Sequence, residues 1–212
     1  MSEAAGSDRA PTLAEQFEDV GFLALPGLID PSWAGFFCRY VNTIVRSGAL
    51  TADTQVPGSL VRYGDPLFDT LLDALGPDLE DRLGRSLLPT YSFLRVYFEH
   101  QSLDPHCDRP ACEYTLTLHL GAQPETPWPV CLRDRHGRHV VAQLGPGDGL
   151  VYDGVNLLHW RGAFAGDWYA QVFLHYVDAT GPYADRRFDG RSALGRPSVP
   201  SGPRAAEPAG PC

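Results

Sequence analysis

From Pro89 to Gly121 the sequence keeps a period of two, and that period constrains the fold more than any other feature of the chain. Tyr91, Phe93, Arg95, Tyr97 and Glu99 alternate with Ser92, Leu94, Val96 and Phe98. Successive side chains of a strand point to opposite faces, so each set shares a face. Residues 113–120 repeat the device, with Glu113, Thr115, Thr117 and His119 against Tyr114, Leu116, Leu118 and Leu120. One face mixes polar groups with aromatics, which suits a barrel wall turned toward a polar cavity. Further strands are expected at 128–133 and 138–143, joined by the turn Asp134-Arg135-His136-Gly137, then at 150–153, 158–162 and 168–177. Many short strands separated by turns indicate a sandwich or barrel.

The first third has a different pattern. Leu13, Phe17 and Val20 fit one face of a short helix, and Gly21 to Pro26 reads as a strand. Asp30-Pro31 opens a helix to about Arg46 that buries Trp33, Phe37, Tyr40, Val41 and Ile44. Residues 51–64 read as loop. A second helix starts at Asp65-Pro66, is interrupted at Gly76-Pro77 and resumes for a turn or two to Leu83. The expectation is a mainly β fold with α-helices packed on one sheet, comprising a flexible tail 1–11, one domain 12–180 and a Gly/Pro/Arg-rich tail 181–212, largely disordered.

Between the two alternating segments lies His106-Cys107-Asp108. In extended chain, an imidazole and a carboxylate two apart share a side and are able to grip one metal ion. A further histidine, His159, sits inside a later strand. Two histidines and a carboxylate on one face of an octahedron are the ligand set of non-heme Fe(II) oxygenases, with the other positions left open. His100, His136 and His139 have no partner at ligand spacing, and His175 reads as a core or rim histidine.

Composition narrows the classes. At 212 residues one well-buried domain is the natural size. A net charge of −9 argues against a nucleic-acid groove or an anionic membrane surface. No apolar run approaches the ~20 residues that span a bilayer, and residues 1–11 lack the basic-then-apolar pattern of a signal peptide, so a cytoplasmic location is expected. All 17 basic residues are arginine; Schiff-base chemistry on lysine is excluded, and a carboxylate-binding cation must be Arg. The five cysteines show neither a disulfide framework nor Cys-x2-Cys pairing, so reduced, structural thiols are expected.

Four pieces in order carry a resemblance: Gly21-Phe-Leu-Ala-Leu-Pro before a helix, Tyr97 nine residues before His106-x-Asp108, the Pro146-Gly-Asp turn feeding a strand, and His159 followed by a strand ending His175-Tyr-Val-Asp. Residues 21–178 resemble the Fe(II)/2-oxoglutarate-dependent oxygenases, most closely their prolyl-4-hydroxylase-like and phytanoyl-CoA-hydroxylase-like branches. The resemblance implies a double-stranded β-helix (jelly-roll) core. It implies His106, Asp108 and His159 as iron ligands, with 2-oxoglutarate and O2 at the open positions. It also implies Tyr97 and His119 as contacts of the co-substrate. Related halogenases lack the carboxylate, so Asp108 favours hydroxylation, desaturation or cyclisation over halogenation. The family's usual Arg or Lys on the last strand is missing here, where Trp168 to Gln171 stand. Arg161, on the same side of its strand as His159, is the favoured substitute for the distal carboxylate, and Arg95 the second choice. The expected substrate is a small molecule such as an amino acid or natural-product intermediate. The alternatives are a peptide hydroxylase and a cupin-like binding module without oxygen chemistry. Nothing in the sequence sets the oligomeric state.

Overall fold

The computed structural model describes residues 9–197. Helix α1 (Leu13–Val20) opens with a capping box between Thr12 and Glu15 and ends at Gly21, whose φ of 83° suits glycine. Strand β1 (Phe22–Leu25) leads to α2 (Pro31–Arg46), capped by the Asp30 carboxylate on the Ser32 amide. Strands β2 (Thr51–Ala52) and β3 (Leu60–Tyr63) precede α3 (Pro66–Leu83), capped in the same way by Asp65. The β-rich part follows as β4 (Leu87–Phe98), β5 (Leu103–His106), β6 (Tyr114–Gln123), β7 (Val130–Arg133), β8 (His139–Ala142), β9 (Gly149–Asp153), β10 (His159–Arg161) and β11 (Trp168–Asp178).

The strands form two antiparallel sheets. The larger has the order β1-β9-β6-β11-β4-β3-β2, and the smaller β5-β10-β7-β8. The alternation read from sequence sorts the larger sheet into two faces. Leu94, Val96, Leu116, Leu118, Val172 and Leu174 point outward and are buried under Phe17 of α1, Phe37, Val41 and Ile44 of α2, and Phe68, Leu72, Leu79 and Leu83 of α3. The opposite residues face inward. Cross-strand register aligns Arg95 with Gln171 and Gln171 with His119, while Phe93 meets Phe173 and Phe173 meets Thr117.

Four expectations are corrected. Residues 51–64 are not all loop, because β3 pairs with β4 and β2 with β3 at the sheet edge. Gly76-Pro77 does not interrupt α3. An internal proline costs about 3 kcal/mol, but continuing the helix buries Leu79 and Leu83 completely, each worth about 1.5–3 kcal/mol. Trp33 is 57% exposed, since the buried stripe of α2 runs through Ala34, Phe37, Val41 and Ile44. Residues 181–197, placed with the C-terminal tail by composition, pack on the domain. Two short 3-10 turns across Ala184–Gly190 lead to Arg191, whose guanidinium forms a buried ion pair with Asp69 (2.6 Å). Residues 198–212 of that expected tail, and 1–8 of the other, lie outside the described residues.

Among the described residues no helix is long and apolar enough to cross a membrane. Among the described residues Cys38, Cys112 and Cys131 keep free thiols.

Candidate metal centre

The first ligand pair is built by strand pairing. Strand β10 lies between β5 and β7, and its register sets His159 directly opposite His106. The two rings are 4.3 Å apart. Asp108 enters from the turn after β5, where its amide donates to the Gly154 carbonyl at 2.8 Å. Its Oδ1 is 3.6 Å from Nε2 of both histidines, and the three ligand atoms lie within 4.8 Å of one another.

Hydrogen bonds fix which nitrogen of each ring faces the centre. Nδ1 of His106 lies 2.8 Å from the Asp104 carbonyl, and Nδ1 of His159 lies 2.8 Å from the Leu157 carbonyl. A carbonyl only accepts, so each Nδ1 carries the proton and each Nε2 presents a lone pair. Burial alone would push the Asp108 carboxyl up, but His159 and His106, in their protonated forms, hold it well below the usual carboxylate range, a role that a cation bound at the two Nε2 atoms would take over. Its second oxygen accepts from Thr115 Oγ1 at 2.8 Å. Gly154 makes this packing possible, since a Cβ there would stand 2.4 Å from the Cys112 carbonyl oxygen and 2.5 Å from Asp108 Oδ2. Two oriented imidazoles and an ionised carboxylate fit a divalent transition metal such as Fe(II).

A second group of donors, Asp108, Cys112 and His175, is also compact. It fits a metal less well. Burial and the Asp108 charge push the Cys112 thiol up, which keeps it protonated, and His175 Nδ1 is engaged with Thr115 at 3.0 Å.

The three ligands open on a cavity of about 260 Å³ whose wall includes Tyr91, Phe93, Arg95, Arg109, Tyr152, Phe173 and His175. Arg95 is thus in the same cavity as the ligands, but its charge is already met: Nε lies 2.7 Å from an Asp53 carboxylate oxygen, an ion pair without hydrogen-bond alignment, and the terminal nitrogens donate to Gln55 and Tyr97. Arg161, Tyr97 and His119 do not line this cavity. They belong to a neighbouring cluster with Trp128, Phe164 and Tyr169. Arg161 is buried, lies over the rings of Trp128 and Tyr169 and donates to the Trp128 carbonyl. Among the described residues it has no carboxylate partner. His119 stacks on Tyr169 and pairs through Nε2 with Glu125 at 2.7 Å; burial nevertheless pulls its pKa down.

Around this cluster buried polar atoms lack partners: Thr117 Oγ1, His119 Nδ1, the Tyr169 hydroxyl and both amide atoms of Gln171. An unpaired buried polar atom costs about 1–3 kcal/mol; Arg161 lies beside the Tyr169 hydroxyl and the Ala170 backbone beside His119, so Thr117 Oγ1 and the Gln171 amide are the atoms farthest from being satisfied. Sequence reasoning singled out His119 alone of the four. It also assigned no role to Thr115, Gly154 or the cavity-lining His175. The signal for three of them was the alternation of β11, where Tyr169, Gln171, Phe173 and His175 share one face.

No family model matches the chain, and no curated protein does. Solved structures share its fold. A prolyl-4-hydroxylase of Pseudomonas putida is 13% identical with a TM-score of 0.65, over 78% of this chain and 97% of that one. SnoN, a non-heme alpha ketoglutarate dependent epimerase from nogalamycin biosynthesis, is 15% identical with a TM-score of 0.67, over 88% and 91%. HygX from Streptomyces hygroscopicus, with nickel and 2-oxoglutarate bound, is 15% identical with a TM-score of 0.61, over 78% and 85%. The likeness is one of fold.

Proposed function

We propose that the protein is an Fe(II)- and 2-oxoglutarate-dependent oxygenase of a small molecule, such as an amino acid or natural-product intermediate, with its two sheets forming a double-stranded β-helix. The observation that carries this reading is the convergence of His106 Nε2, His159 Nε2 and Asp108 Oδ1, each oriented by its own hydrogen bond. Structures of the same fold include a hydroxylase, an epimerase that depends on alpha ketoglutarate and a protein holding 2-oxoglutarate beside nickel. A purely structural metal would instead favour a closed four-ligand set.

In this reading His106, Asp108 and His159 hold Fe(II), which with 2-oxoglutarate and O2 supplies oxidation of a C–H bond coupled to decarboxylation of the co-substrate. The chain's own residues do the rest. Arg161, a buried cation without a counter-charge among the described residues, receives the distal carboxylate of 2-oxoglutarate, and Thr117, His119, Tyr169 and Gln171 complete its hydrogen bonds. Arg95, already neutralised by Asp53 and held from behind by the Tyr97 hydroxyl, shapes the substrate cavity. Tyr91, Phe93, Tyr152 and Phe173 limit water around the reacting centre. A cavity of about 260 Å³ suits a small molecule.

The test is anaerobic titration with Fe(II), followed by an assay of succinate release. One metal per chain is expected, with His106→Ala/His159→Ala losing most of the affinity while keeping the fold by circular dichroism. Stoichiometric binding by that double variant would overturn the assignment. Absence of succinate from an iron-loaded chain would leave a binding module.

A further inference from the structure

The hydroxyl proton of Thr115 decides the tautomer of a histidine that is not among the three ligands. Thr115 Oγ1 lies 2.8 Å from Asp108 Oδ2, and an ionised carboxylate only accepts. The hydroxyl proton therefore lies between these two oxygens; the Cys112 carbonyl, at 3.3 Å, is the poorer partner. The same Oγ1 is 3.0 Å from His175 Nδ1. With its proton directed at Asp108, the hydroxyl accepts from His175, so Nδ1 carries the ring proton and Nε2 is a bare acceptor.

That nitrogen has no hydrogen-bond partner among the described residues, and its ring is part of the cavity wall. The ring is also held in place. Tyr91 packs at 4.5 Å and Phe173 lies parallel within 4°. An oriented lone pair on a ring of the cavity wall thus has no partner among the described residues.

We propose that His175 is a substrate-positioning residue whose Nε2 accepts a hydrogen bond, and that the substrate presents a hydroxyl or amine donor to it. This rests on the oxygenase reading above and adds a class of substrate to it. The same hydroxyl that orients Asp108 also orients His175, so the substrate's donor and the ligand carboxylate are set relative to one another through Thr115.

Two measurements on the full chain test this. The first is ¹⁵N NMR of histidine-labelled, Zn(II)-loaded protein, with His175 assigned by its loss in His175→Gln. A ring protonated at Nδ1 and bare at Nε2 is expected; a ring protonated at Nε2 would overturn the proposal whether or not a substrate is known. The second compares two variants on a panel of serine, threonine and lysine with their O-methyl or N,N-dimethyl counterparts, read as substrate-stimulated succinate release. Asn at 175 keeps a donor for Thr115 but offers nothing at the Nε2 position. Gln places a carbonyl near Nε2 but cannot bond Thr115. For members the wild type turns over, His175→Asn is expected to raise KM about tenfold and His175→Gln no more than about threefold. The reverse ranking would mean that His175 only supports Asp108. A wild-type chain that fails to bind Fe(II) would instead sink the oxygenase reading, and the tautomer measurement would stand apart from it.

Discussion

The two faces of the larger sheet are made by the same strands, one residue apart, yet they are different materials. The outer face of β4, β6 and β11 is Leu94, Val96, Leu116, Leu118, Val172 and Leu174, sealed beneath three helices. The inner face carries Arg95, Thr115, Thr117, His119, Gln171 and His175, all buried as well. Burial alone therefore does not separate scaffold from site. What separates them is whether the buried atoms are satisfied: the outer face is apolar and complete, while the inner face holds polar atoms with no partner. Free energy gained on the outer side, about 25 cal/mol per Å² of apolar surface, offsets the cost of keeping the inner side incomplete.

The comparison breaks first if an outer residue proves functional. Leu174→Ala should lower the unfolding free energy by about 2–5 kcal/mol, measured by chemical denaturation, with Fe(II) stoichiometry of the folded protein unchanged. Loss of metal affinity without loss of stability would contradict the division. Within the inner face, Arg161→Gln should raise KM for 2-oxoglutarate roughly ten- to a hundredfold, the scale of a buried charge-assisted contact, and Arg95→Gln much less. The opposite ranking would hand the distal carboxylate to Arg95. The smallest effect sharpens the comparison most. Gln171→Met removes two unpartnered amide atoms at similar length, so it should stabilise the apo protein by up to about 1 kcal/mol while weakening 2-oxoglutarate severalfold. A destabilised variant would mean that the amide is satisfied after all.

Alternation made both faces legible in sequence, because β4 and β6 are long enough for period two to register. The proposed triad was legible for a related reason: His106 and Asp108 are two apart, and His159 sits in a strand of its own. Shorter or irregular pieces were hidden. Strand β3 holds four residues without alternation, and only its pairing with β4 makes it a strand. Pro77 signals a break that the burial of Leu79 and Leu83 overrides. The packing of 184–191 depends on distant partners, with Arg191 meeting Asp69 and Asp189 meeting Arg109 at 2.7 Å, and composition carries no trace of them. The role of Gly154 rests on one close approach to Asp108, which no local pattern announces.

The position of β11 bears on how each copy of the protein is made. It is the last strand among the described residues and sits in the middle of the larger sheet, between β6 and β4. During synthesis, β1, β6 and β9 emerge as one fragment of a sheet and β2, β3 and β4 as another, with no backbone pairing to join them. Helices α2 and α3 then have only partial surfaces to cover, and Leu94 and Leu116 stay within reach of other chains. Pairing that spans so much sequence is slow to form and prone to aggregation while it waits. Closure of the sheet, and with it the wall that carries Gln171 and His175, has to follow release of residue 178 from the ribosome tunnel.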